Sequence, residues 1–193
     1  MAGEALPRPL LITDVPGAKI QPTVGTLAAG LLDVLVRVHR PRDILEIGTA
    51  LGYCACVFGH AAATYGGKVT TLEINPELAI AARQNVAAQG LSETVTVITA
   101  DAAVWMKGTK ETFGLILQDG AKNYLDYLER TVGLLKPGGL LVTDDILFAV
   151  MDDLPGTLRT MIDEYNHALQ VHPQLRTAWL PIGDGVAISV KTG

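Results

Sequence analysis

Apolar runs of four to six residues alternate with longer, helix-patterned stretches along most of this 193-residue chain, and few architectures satisfy such an alternation. Five runs read as strands buried on both faces: Asp43–Ile47, Val69–Ile74, Val95–Thr99, Leu115–Gln118 and Leu140–Thr143. Between them, Pro76–Gln89 is the clearest helix, with Asn75 as N-cap, Pro76 in the first turn and Gly90 as the stop. Tyr124–Leu135 is a second, closed by Lys136-Pro137-Gly138-Gly139, and Leu158–Gln170 is a third. Two further strand-like runs, Thr177–Leu180 and Val186–Val190, flank the short loop Pro181–Gly185 and predict an antiparallel hairpin. The expected fold is α/β and doubly wound: a mostly parallel seven-stranded sheet ending in a C-terminal hairpin. A single domain over residues 1–193 is expected, with residues 1–40, including a helix at Thr23–Val38, forming a helical cover.

Composition narrows the function classes. With 49% hydrophobic and 18% charged residues the chain is too apolar for a disordered segment, and its length suits one core without disulfides or structural metal. Residues 47–67 lack Asp, Glu, Lys and Arg, but Gly48, Gly52, Gly59, Gly66, Gly67 and His60 interrupt them, so no membrane span is expected. Met1–Pro16 shows no secretory pattern, and Cys54 and Cys56 are too close together to staple distant segments, so a reducing cytoplasm is the expected location. A net charge of −5 gives no overall field for nucleic acid.

The first strand runs into Glu46-Ile47-Gly48-Thr49-Ala50-Leu51-Gly52-Tyr53, and Glu73 ends the second strand 21 residues after Gly52. Glycines at such a turn admit a ligand close to the backbone, and an acid about 20 positions on can accept hydrogen bonds from ribose hydroxyls. The G-x-G-x-x-G spacing that cradles a pyrophosphate is missing, so a nucleoside cofactor without a diphosphate is implied. Asp101 follows the third strand, where it reads by itself as a helix N-cap, although the S-adenosylmethionine-dependent methyltransferases, which the glycine turn with Glu73 resembles, recognise adenine at this place.

Three more carboxylates, Asp119, Asp144 and Asp145, stand at the ends of the fourth and fifth strands. Neighbouring strands lie about 4.8 Å apart, so these groups repel one another unless a cation sits among them. All-oxygen donors select a hard ion, Mg²⁺ first and Mn²⁺ or Ca²⁺ as alternatives. The competing reading makes Asp119 a helix cap and Asp144-Asp145 a solvated turn.

Taken together, the segments I-L-E-I-G-T-A-L-G-Y (44–53), T-L-E-I-N-P-E (71–77), A-D-A (100–102), Q-D-G-A-K-N-Y (118–124), L-K-P-G-G-L-L-V-T-D-D-I-L-F (135–148) and L-P-I-G-D-G-V-A-I-S-V-K (180–191) resemble the cation-dependent O-methyltransferases of the catechol and caffeoyl-CoA type. The resemblance implies a Rossmann-like methyltransferase fold and S-adenosylmethionine as cofactor. It places the cofactor on Glu46, Gly48, Thr49, Gly52, Tyr53, Cys54, Glu73, Ile74, Asp101, Ala102 and Asp119, and a divalent metal on Asp119, Asp144 and Asp145. The third ligand is Asp145 where the family carries Asn. Lys122 takes the position of the family's catalytic base, alongside Asp119, and Cys54 stands where the family often has Ser. The implied reaction methylates a hydroxyl of a small vicinal dihydroxy aromatic, and the implied assembly is a homodimer.

Two other readings stay open on the sequence. Residues 161–173 with L-P-I-G-D-G most resemble the bacterial branch that methylates 5-hydroxyuridine in tRNA, although the basic cluster Arg37–Arg42 precedes the first strand and so lies at the opposite edge of the sheet. Asp145 and a shortened loop before Tyr124 would also suit a protein that binds S-adenosylmethionine without catalysis.

Overall fold

The computed structural model describes residues 25–120, 123–152 and 154–193. Its elements run α1 (Thr26–His39), β1 (Asp43–Ile47), α2 (Tyr53–Ala63), β2 (Lys68–Glu73), α3 (Pro76–Ala88), β3 (Val95–Thr99), α4 (Ala102–Gly108), β4 (Phe113–Gln118), α5 (Tyr124–Leu134), β5 (Leu135–Thr143), a 3₁₀ turn at Ile146–Val150, α6 (Gly156–Val171), β6 (Leu175–Leu180) and β7 (Val186–Lys191). The helix expected over Thr23–Val38 is present from Thr26; the rest of the expected N-terminal cover, through Val24, lies outside the described residues.

One sheet carries all seven strands in the order β3-β2-β1-β4-β5-β7-β6. Strands β1 to β5 are mutually parallel. The predicted hairpin is present, with its second strand inserted beside β5: β7 runs antiparallel to both β5 and β6. Beyond β3 the chain returns to the opposite side of β1, and this reversal opens a crevice at the carboxyl ends of β1 and β4.

The strands are apolar on successive positions because both faces are covered. One face packs Ile44, Val69, Leu115 and Val142 against α1, α2 and α3; the other packs Leu45, Leu72, Ile116 and Leu141 against α4, α5 and α6. Helix α3 starts as predicted, with Asn75 Oδ1 accepting from the backbone N–H groups of Glu77 and Leu78 at 2.8 and 3.3 Å. In β5 the Lys-Pro-Gly-Gly stretch does not end the strand but bulges from it. Phe113 pairs with Leu135 and Leu115 with Leu140, so Lys136–Gly139 loop outward against Gly114, and a Cβ at Gly139 would sit 2.8 Å from the Lys136 carbonyl oxygen. Glycine therefore lets strand pairing begin five residues before the predicted start. No described helix is long and apolar enough to cross a membrane.

Leu115 lies at 0% exposure in the central strand β4. Leu115→Ala is expected to cost about 2–5 kcal/mol of unfolding free energy, measured by urea titration, through lost burial and the cavity left between two rigid layers.

Candidate functional site

The turn after β1 is shaped by three residues with positive φ: Gly48 (+97°), Ala50 (+46°) and Gly52 (+84°). Gly48 and Thr49 donate their backbone N–H groups to the Leu72 carbonyl at 3.1 and 3.2 Å, folding the turn over the end of β2. A Cβ on Gly48 would collide with the backbone carbonyl of Asp119, so only glycine lets the β1 and β4 ends close together. Asp119 N–H donates to Ile47 O at 3.0 Å in the same junction. Gly52 then opens α2, whose first residues Tyr53 and Cys54 are 2% and 5% exposed. Cys54 and Cys56 are both buried, and neither is in a disulfide.

Glu73 is buried at the end of β2, and both its oxygens hold backbone: Oε2 accepts from Ala50 N and Oε1 from Asn75 N, each at 2.8 Å. The carboxylate thus fastens the strained Ala50 and the start of α3, with further lone pairs left for a ligand. Ile74 follows the strand with its apolar side chain largely exposed. Asp101 does what the capping reading predicted: its Oδ1 accepts from Val104 N at 3.1 Å, and Ala102 is the first residue of α4.

Beneath the turn lies a polar chain that sequence reasoning found only in part. Glu46 is 1% exposed; its Oε2 accepts from Thr71 Oγ1, which in turn lies 2.5 Å from Thr49 Oγ1. Among the described residues, Glu46 Oε1 is buried without a partner. Burial pushes the Glu46 carboxyl up to about 8, against the Thr71 hydrogen bond and with the Glu73 charge adding to the rise.

The second half of the site comes from β4 and β5. Desolvation, then the charges of Asp145, Asp144 and Glu46, raise the proton affinity of Asp119 well above the usual carboxylate range. Asp144, 5% exposed, is raised by burial to about 6 despite accepting from Asp145 N at 2.9 Å, and burial with the Asp144 charge takes Asp145 to about 7. Asp145 holds φ +66°, a left-handed conformation that Asp and Asn tolerate better than other side chains. Among the described residues no three His, Cys, Asp or Glu side chains are placed to hold a metal ion as they stand. Lys122 lies outside the described residues, whereas the base of its loop is visible: Gln118 Nε2 donates to Tyr124 O at 2.9 Å, and Tyr124 Oη donates to Asp144 O at 3.1 Å.

Asp184 was missed from the sequence. The β6–β7 loop docks on the 3₁₀ turn, with Ile146 and Leu147 donating to Gly185 O and Asp184 O at 3.1 and 2.9 Å, and the Asp184 charge raises both Asp144 and Asp145. The loop was legible as a hairpin turn; its docking was not, because 38 residues separate Asp184 from Ile146.

The known proteins that this chain resembles share this architecture. A family model described as O-methyltransferase matches residues 14–192. Catechol O-methyltransferase B of Danio rerio is 31% identical over 134 residues, 64% of this chain and 50% of that protein. Caffeoyl-CoA O-methyltransferase 5 of Nicotiana tabacum is 28% identical over 173 residues, 81% of this chain and 72% of that protein. The chain thus spans half the length of the first relative and more of the second. The crystal structure of the O-methyltransferase from Bacillus cereus in complex with SAH superposes with a TM-score of 0.79 at 25% identity, covering 94% of this chain and 95% of that one.

Glu46 supplies a pH test. Between its ordinary value of 4.5 and about 8 the folded protein holds a proton that the unfolded chain has lost, so stability falls as pH rises through this window. Glu46→Gln, which cannot ionise, is expected to match the parent near pH 5 and to gain on it by up to about 5 kcal/mol near pH 9 in paired urea titrations.

Proposed function

Because the chain belongs to the O-methyltransferase family, we propose that it transfers the methyl group of S-adenosylmethionine to a hydroxyl of a small vicinal dihydroxy aromatic, assisted by a divalent cation. One observation carries this reading: the Gly48 turn and the carboxylate-bearing ends of β4 and β5 share a wall, with the Asp119 carbonyl packed where a Cβ of residue 48 would be. A ligand held on the turn therefore lies beside the carboxylates.

The cradle fits the cofactor's parts. Gly48 leaves backbone accessible at the turn, and the buried Glu46 Oε1 has no donor among the described residues, a place that an ammonium group would take. A cation there would draw the Glu46 proton affinity back down. Glu73 keeps lone pairs for the ribose hydroxyls, and the open side chain of Ile74 offers a surface for the adenine ring, with Asp101 and Ala102 brought to the same edge by Ala100 N–H donating to Glu73 O at 2.9 Å. Cys54 and Tyr53 close the methionine end at the start of α2.

The donor set also fits a hard cation by chemistry: four carboxylates, Asp119, Asp144, Asp145 and Asp184, meet at one edge, and their mutual repulsion is what such an ion relieves. Asp119, Asp144 and Asp145 would hold it. Bound, the ion would act as a Lewis acid that favours the ionised form of the acceptor hydroxyl. A phenol has a pKa near 10, so ionising it at pH 7 takes about 4 kcal/mol of preferential stabilisation. In this reading Lys122 receives the hydroxyl proton, the oxygen attacks the methyl carbon as the carbon–sulfur bond breaks, and the neutral thioether leaves. The chain's own task is positioning, because a sulfonium needs no acid to depart.

Incubation with S-adenosylmethionine, Mg²⁺ and a panel of catechols and monophenols should give a monomethylated product, read by mass spectrometry, from the catechols alone. EDTA should abolish turnover and Mg²⁺ restore it, and Asp119→Asn should lower kcat by about 100-fold or more. Full turnover in EDTA would remove the cation from the mechanism. Catechols left unmethylated while tRNA containing 5-hydroxyuridine gains a methyl group would transfer the reading to a tRNA acceptor.

A further inference from the structure

Thr71 has no place in the mechanism as described, yet it is 0% exposed at the centre of the polar chain under the cofactor turn. It faces Glu46 directly across the β1–β2 pairing. Its hydroxyl has one hydrogen, which goes to Glu46 Oε2; the contact with Thr49 Oγ1 at 2.5 Å is then donated by Thr49. The chain has one direction: Thr49 to Thr71 to Glu46. Its end is the second carboxyl oxygen, Oε1, buried and without a partner among the described residues. A buried carboxyl oxygen without a hydrogen-bond partner is costly whether the group is protonated or ionised, and a cationic donor that takes Oε1 in its ionised form removes the cost.

The groups around Glu46 sharpen which donor suits it. Glu73 on β2, Asp119 after β4 and Cys56 on α2 all couple to it electrostatically, and all three are acids. A cationic donor is favoured in such surroundings over a neutral one. Were the Thr71 hydroxyl absent, either carboxyl oxygen could take either position, and the free oxygen would no longer be held in one place.

We propose that Thr71 is a positioning residue of the cofactor site: its hydroxyl secures Glu46 through Oε2 and so presents Oε1 to the ammonium group of the cofactor's amino-acid part. This rests on the cofactor reading above and adds to it a residue that touches no cofactor atom. The amino-acid part of the cofactor, and not its nucleoside, is what Thr71 serves.

Two thioethers separate these contributions, because 5′-methylthioadenosine keeps the nucleoside of S-adenosylhomocysteine and lacks its ammonium and carboxylate. Isothermal titration at pH 7.5 would compare both ligands on the parent protein, Thr71→Val and Thr71→Ser, with Thr71→Ala as a second hydroxyl-free variant should the valine protein not fold. Thr71→Val is expected to weaken S-adenosylhomocysteine by about tenfold, the loss of roughly one charge-assisted contact, and to leave 5′-methylthioadenosine unchanged. Thr71→Ser should bind both as the parent does. Equal weakening of the two ligands would mean general loosening of the sheet and overturn the proposal, as would an unchanged affinity for S-adenosylhomocysteine. A parent protein that binds neither thioether would overturn the cofactor reading itself, and the positioning role with it.

Discussion

The approach of Gly48 to the Asp119 carbonyl is the contact on which the rest of the site depends. It joins the ends of β1 and β4, two strands that are neighbours in space and 66 residues apart at their nearest ends in sequence. Had residue 48 a side chain, the crevice between the two windings of the sheet would widen, and the turn over β2 would lose its register with the carboxylates of β4 and β5. Glu73, Ala50 and Gly52 all elaborate that closure: the first fastens the second by a backbone hydrogen bond, and the third starts the helix that seals the far side.

The electrostatics follow from the same closure. An apolar sheet covered on both faces leaves its carboxyl edge as the place where charge can stand, and six acids gather there: Glu46, Glu73, Asp119, Asp144, Asp145 and Asp184. Desolvation is the leading cause of the raised proton affinity of Glu46, Asp119, Asp144 and Asp145, with like charges adding to it. This concentration is unfavourable for folding, and positively charged ligands relieve it. Part of the chain's net charge of −5 is therefore a property of one edge, which makes overall charge a weak guide to its partners.

Much of this was legible in the residues. The parallel strands, the Asn75 cap of α3 and the C-terminal hairpin all appear as expected, because each depends on a local pattern. The Asp101 cap was legible too, through an interaction spanning three residues. The parts that escaped share another property. Thr71 looked like one more β-branched strand residue, since its importance comes from facing Glu46 on the neighbouring strand. Asp184 looked like a turn residue until its loop docked on the 3₁₀ turn. The Lys-Pro-Gly-Gly stretch had every local mark of a loop, and it stands as a bulge within β5 because Leu135 ahead of it pairs with Phe113.

By itself, then, the sequence determined the succession of strands and helices, the glycines of the turn and the acids at the strand ends, since hydrophobic period, backbone freedom and charge are carried residue by residue. Only the tertiary structure decided which of those acids meet, that Glu46 ends a hydrogen-bonded chain with one oxygen unpartnered among the described residues, and that a fourth aspartate joins the cluster. Those facts depend on strand order, register and loop docking, which arise from the packing of distant segments and leave no mark at the positions they affect.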